Sequence, residues 1–410
     1  MREKEIVDRM QQNIAIPDIV QTKADDAFRK IQKQNNKVVR MHTHKRKWKT
    51  VCIAVAAAVL ALGTTVCAAA YIHWSRGLKA EFQMTPEEKQ LLEEENYMSP
   101  ILNNAEESRE GSNTADGVTA AGVTAGGVTV TPLEMIVDNR FAWLSFRVEG
   151  YELEEGKEPC FDVANVVFDD NPEAIISYYS SFYDGLHFDG SGFYYEDGTS
   201  AKDANGNTVE KYTDETGCME YIIQIDGTQY EKGLVGASAH VTFQNLGTVY
   251  KAEFFPDLEA KWEFDFELKG ADEVRKVTLS EALGESGATV TYAEISPISL
   301  YVQYDFPMQE EAIEGVNENG EAITTTTFVE AHDLIGVRLK NGTYLTYITD
   351  GGVIGYLDGN ENVYVVSHAT SRVLDTKQVD ALLFLKASPE TAYNGEAEWI
   401  EKNLYIVPIE

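Results

Sequence analysis

Three stretches of this chain place large apolar residues at every second position, and that period of two limits most of its length to β-structure. Ala142, Leu144, Phe146 and Val148 alternate with Phe141, Trp143, Ser145 and Arg147. Trp262, Phe264, Phe266 and Leu268 alternate with Glu263, Asp265 and Glu267, and Ile298, Leu300, Val302, Tyr304 and Phe306 repeat the signature. Successive side chains on a strand point to opposite faces, so each stretch reads as a half-buried strand. Ten Asp-Gly or Asn-Gly pairs follow residue 128, among them Asp197-Gly198, Asp226-Gly227, Asn319-Gly320, Asn341-Gly342 and Asp358-Gly359. Such pairs supply the positive φ angles that tight hairpins need. Helical periodicity is nearly absent here, apart from short stretches such as 378–385. Some 280 residues exceed one small sandwich, so the expectation is two immunoglobulin-like β-sandwiches, 128–269 and 270–410.

Charge divides the chain elsewhere. Residues 1–50 hold 13 Lys+Arg and 6 Asp+Glu, leaving 21 against 61 for the other 360 residues and a net charge of −33 for the whole. That balance excludes a nucleic-acid coat. No Asp, Glu, Lys or Arg lies between Lys49 and Arg76, and residues 51–72 form a 22-residue apolar run, VCIAVAAAVLALGTTVCAAAYI. This is the length that crosses a hydrocarbon core of about 30 Å as a helix. Residues 50–73 therefore read as one transmembrane helix. Arg40, Lys45, Arg46, Lys47 and Lys49 precede it, which places residues 1–49 in the cytoplasm and the acidic remainder outside.

In the basic segment, Ile6, Met10 and Ile14 are spaced by four, and Val20, Ala24, Ala27, Phe28 and Ile31 share one helical face after Pro17. Two short amphipathic helices cannot bury their stripes on each other, so they require a partner or a lipid surface. Ile6, Met10, Val20, Phe28 and Ile31 are the expected partner-binding anchors in a helix-in-groove mode. Residues 74–127 read as a juxtamembrane helix opened by Thr85 and Pro86, followed by a flexible stalk with a five-residue Gly-Val-Thr repeat at 117, 122 and 127.

Residues with chemistry are sparse. There is no G-x-S-x-G, H-E-x-x-H or phosphate loop, and the five histidines after the apolar run lack metal-ligand spacing. Ser238 and His240 cannot act as nucleophile and base from the residue pattern alone, and Asp358 to Asn362 and Asp203 to Asn207 read as turns instead of calcium loops. The expectation is no enzyme, no cofactor and no metal. Tyr178, Tyr179, Phe182, Tyr183, Phe188, Phe193, Tyr194 and Tyr195 form an unusually aromatic run that could stack on cell-wall sugars or fill strand interiors. Cys160 and Cys218 either pair or stay reduced; the sequence leaves both open.

The order of basic helical N-terminus, apolar run, stalk and two acidic β regions resembles the DUF4179-type single-pass regulators of Gram-positive bacteria. The residues that carry the resemblance are Ile16-Pro17-Asp18-Ile19-Val20, Gly127 to Thr131 through Asp138 to Val148, Trp262 to Phe266, and Tyr292 to Pro297. The resemblance implies an anti-sigma factor at the cell membrane: the N-terminal helices hold a cytoplasmic sigma factor and the β regions sense an envelope signal. The alternative is a cell-surface adhesion or cell-wall-binding protein with no cytoplasmic partner.

Overall fold

The computed structural model describes residues 75–101, 122–168, 176–188, 192–316, 322–357, 359–387, 389, 393 and 395–409. Residues 1–49, with the five expected anchors Ile6, Met10, Val20, Phe28 and Ile31, and the apolar run lie outside these residues. The expected fold class needs correction. Its β content stands, but among the described residues no helix is long and apolar enough to cross a membrane. The three helices among the described residues, α1 (Arg76–Glu81), α2 (Pro86–Glu94) and α3 (Ala397–Asn403), have six, nine and seven residues. At about 1.5 Å per residue the longest spans roughly 14 Å, half of a bilayer core.

The first β body packs two sheets. One contains β1 (Met98–Pro100), β2 (Val123–Ala125), β3 (Val128–Val137), β4 (Phe141–Glu149), β6 (Ser177–Phe182) and β9 (Met219–Asp226). Its order is β1-β3-β4-β9-β6, with β2 also paired to β3. The other has the order β11-β10-β5, from β5 (Glu158–Phe168), β10 (Ser238–Tyr250) and β11 (Glu253–Glu267). A short hairpin, β7 (His187–Phe188) with β8 (Phe193–Tyr194), stands beside them. Between the sheets lies an aromatic core: the rings of Phe146 and Phe243 meet edge to face at 5.0 Å, and Phe161 stacks on Phe243 at 4.7 Å. Such pairs add about 0.5–1.5 kcal/mol each beyond their buried area. On β11 the expected alternation holds, with Trp262, Phe264 and Phe266 buried and Glu263, Asp265 and Glu267 exposed.

Strand β4 departs from the half-buried expectation, because Phe141, Trp143 and Ser145 are buried as fully as Leu144 and Phe146. The reason is α1 and α2. They cover the outer face of the sheet through Leu78, Phe82 and Leu92, with Phe82 packed edge-on against Trp143 at 4.8 Å. Helix α2 opens on a capping box, Thr85 with Glu88, and Pro86 in its first turn. The expected stalk is also shorter than the repeat suggests: the copy at Val123-Thr124 is strand β2, in register with Val130 and Thr129.

The second β body repeats the plan. A sheet of order β12-β13-β14-β20-β19, from β12 (Arg275–Ala282), β13 (Thr289–Ile295), β14 (Ser299–Asp305), β19 (Thr349–Leu357) and β20 (Asn360–Thr370), forms one layer. The other runs β18-β17-β21-β22, from β17 (Leu334–Leu339), β18 (Tyr344–Thr346), β21 (Val379–Leu385) and β22 (Leu404–Pro408). A separate hairpin joins β15 (Glu310–Val316) and β16 (Ala322–Phe328). Leu300, Val302, Tyr304 and Phe306 point into this core. Residues 379–385 are a central strand and not a helix. Their near-continuous apolar run is buried on both sides, by the core and by Trp399 and Ile400 of α3.

The two bodies share a third cluster, in which Ile298, Ala369 and Val373 of the second meet Phe141, Trp143 and α1 of the first. Asp138, buried after β3, accepts the amides of Arg140 and Phe141 at 2.7 and 2.8 Å. Its other oxygen accepts the Ser296 and Ser299 hydroxyls, each at 2.5 Å. Arg140 pairs with Glu294 at 2.6 Å and lies 3.6 Å from the centre of the Tyr301 ring. Cys160 and Cys218 are both free. The Cys218 sulfur instead lies 3.0 Å from the Arg147 guanidinium.

A candidate ligand cleft under the first helix

The side chains that alternate outward on β4, β9 and β6 fall into rows across the sheet. Register places Trp143 opposite Gln224, and Gln224 opposite Tyr179. These three, with Ile222 and Ser181 one row along, form the floor of a cleft of about 590 Å³. That volume lies within the range of small-ligand sites. Gly77, Ala80 and Glu81 of α1 make one wall, Tyr183, Asp184 and His187 another, and Asp350-Gly351 of the second body closes the end. Tyr179 is the exposed ring of the floor, 68% accessible. Trp143 is 1% accessible and its indole N–H has no hydrogen-bond partner among the described residues.

Helix α1 approaches the sheet closely because residue 77 is glycine; a Cβ there would stand 2.7 Å from Ile222 Cδ1. Its N-terminus is held by two buried carboxylates. Glu134 accepts the Ser75 amide at 2.9 Å and pairs with Lys89 at 3.2 Å. Glu220 accepts the amides of Arg76 and Gly77 at 2.9 and 3.2 Å, and the Ser75 hydroxyl as well. Burial pushes the Glu220 carboxyl up to about 7 against those lowering hydrogen bonds, and pushes Glu134 up as well. Glu81, half-buried with Asp350 nearby, also rises to about 7.

At the far end, Asp350 and Gly351 are presented by a bulge in β19. The register against β20 slips between Asp350 and Gly352, leaving Gly351 unpaired in the left-handed region at φ 65°. Asp184 accepts the Leu186 amide at 2.9 Å, and His187 meets the Tyr183 hydroxyl at 3.1 Å. Burial holds His187 below its ordinary value, which favours the neutral ring. The cleft thus offers one open aromatic face, the carboxamides of Gln83 and Gln224, a neutral imidazole and three carboxyl groups.

The aromatic run found in the sequence is split by strand alternation. Tyr179 faces the cleft while Phe182 enters the core between the sheets. Tyr178 bonds the Ala164 carbonyl at 3.0 Å and Tyr195 the Val209 carbonyl at 2.8 Å. Sequence reasoning missed Glu81, Gln224 and Asp350, which carry no local signal, whereas Trp143 was marked by its apolar outward position. His240 gains partners that its neighbourhood in sequence did not show: Asp265 at 2.6 Å and the Thr242 hydroxyl at 3.1 Å. The order of hydroxyl, imidazole and carboxylate is that of an activated nucleophile. However, Thr242 is buried, Asp265 is open to solvent, and none of the three lines the cleft. The turn at Asp203 satisfies itself, with Asn205 and Asn207 amides on its carboxylate at 2.8 and 2.9 Å.

No protein-family model matches the chain, and no curated protein does either. Among solved structures, a conserved domain protein from Bacillus anthracis aligns over 76% of this chain and 92% of its own, at 12% identity and a TM-score of 0.36.

Proposed function

We propose that residues 75–409 form the ligand-recognition part of a non-enzymatic signalling regulator, displayed outside the cytoplasm. Residues 1–49 carry the surface for a cytoplasmic sigma factor. What supports this reading is the double role of α1. The helix that follows the N-terminal segment in sequence is both a wall of the cleft and the element gripped by Glu134 and Glu220. A ligand in the cleft would touch that helix directly, so occupancy would bias how firmly it is held.

Capture from host lysate with the full chain as bait tests the proposal, with a Val20→Asp, Phe28→Asp double variant as control. Recovery of a sigma factor by the natural chain alone is the expected result. Equal recovery by the variant, or none by either, would overturn it. The alternative of a cell-surface binding protein draws its support from the aromatic floor at Tyr179, and it predicts that neither bait captures a cytoplasmic partner.

A further inference from the structure

We propose that the cleft under α1 takes a saccharide, uncharged or amine-bearing but not anionic. The inference rests on that cleft being the recognition site. It starts from Tyr179, whose ring stands open on β6, the edge strand of the sheet, at one side of the floor. A sugar ring has an apolar face of C–H groups and a polar rim, and an open aromatic face with polar groups around it is its complement. Gln224, next to Tyr179 in the same cross-strand row, offers one acceptor and two donors at the level of that rim. Among the described residues its carboxamide has no hydrogen-bond partner.

The walls decide the charge of the ligand. Glu81, Asp184 and Asp350 present acceptors that suit hydroxyl or ammonium donors and repel a carboxylate or sulfate. Of the cations on α1, Arg76 is already engaged by both oxygens of Glu196, at 2.9 and 3.0 Å, and Lys79 also has interactions of its own. The charge of the whole protein acts in the same direction.

A second, independent observation is the indole N–H of Trp143. It is a buried donor without an acceptor among the described residues, on a side chain that lines the cleft. Leaving such a donor unmade is unfavourable. That N–H is closed off in this structure, so a ligand oxygen meets it only where the side chains over the indole give way.

Titration calorimetry on the full chain tests the assignment, with cellotetraose as the neutral probe, a chitosan tetramer as the amine-bearing probe and tetragalacturonate as the anionic one. Saturable binding of either or both of the first two, with at least tenfold weaker binding of the third, is expected. Tyr179→Ala and Gln224→Ala should each weaken binding at least tenfold. Tyr250→Ala, which removes another well-exposed ring outside the cleft, should leave it unchanged. Thermal melts would show that both cleft variants remain folded, and if one does not, the other still decides. Absence of saturable binding, preference for the anionic probe, or undiminished binding by the folded Tyr179→Ala and Gln224→Ala variants would overturn the proposal. Sigma-factor capture does not depend on this outcome, so a failed saccharide titration with successful capture removes the ligand class alone.

Discussion

Glu220 sits on β9 with 5% of its surface accessible, and it holds α1 through three donors, the hydroxyl of Ser75 and two backbone amides. Its carboxyl is raised from 4.5 to about 7, so between those values the folded protein keeps a proton that the unfolded chain releases. Stability therefore falls as pH rises from about 4.5 to about 7, levels off above, and is insensitive to this group below. The raised carboxyl corresponds to an effect on the order of 3 kcal/mol across that window. Chemical denaturation at pH 5 and pH 8 should show the natural protein more stable at pH 5. Glu81 and Glu134, also raised by burial, and relief of net negative charge act in the same direction, and Glu220→Gln isolates the share of Glu220. The variant should lose a large part of the difference, and an unchanged difference would locate the effect elsewhere.

Helix α1 has only six residues and could not persist alone, since isolated helices shorter than about 12 residues are marginal in water. It exists because Leu78 and Phe82 are buried on the sheet and because Gly77 lets its backbone come close. Gly77→Val should push the helix off Ile222, with a loss of roughly 2–3 kcal/mol in stability. Hydrogen exchange at residues 76–82 should accelerate before exchange in β4 does; protection unchanged in α1 would contradict the packing described.

How far such elements can be read from sequence depends on what covers them. Strands β4, β11 and β14 were legible because one face of each shows an apolar period of two. The second burial of β4 was not, since the residues that cover it come from α1, some 60 positions earlier. The run at 379–385 lost its period because both of its faces are covered, and a short apolar run without a period does not distinguish strand from helix. The cleft was the least legible part. Tyr179 stood out within an aromatic run, but Glu81, Gln224 and Asp350 are brought together from three distant segments by strand register and one bulge.

At the scale of the molecule, the two β bodies are joined by chemistry as well as by contact. Asp138 accepts four hydrogen bonds, two from its own turn and two from Ser296 and Ser299 of the other body. Thr228 and Ser367 add another at 2.9 Å, and Arg140 binds Glu294 and covers Tyr301. Replacing Asp138 by Ala strands two buried hydroxyls and two amides, a loss of about 2–4 kcal/mol concentrated at the junction. Scanning calorimetry should show one cooperative transition for the natural protein and a broadened or divided one for Asp138→Ala. A single transition of undiminished temperature in the variant would mean that the shared apolar cluster alone joins the bodies.

Strand β11 forms one end of its three-stranded sheet, and along it Glu253, Asp257, Glu259, Glu263, Asp265 and Glu267 are exposed. Neighbouring strands lie about 4.8 Å apart, so a second copy adding its own β11 there would set one column of carboxylates, interrupted by Lys261, directly beside another. That repulsion guards the open hydrogen-bonding row of the strand against recruitment by further copies.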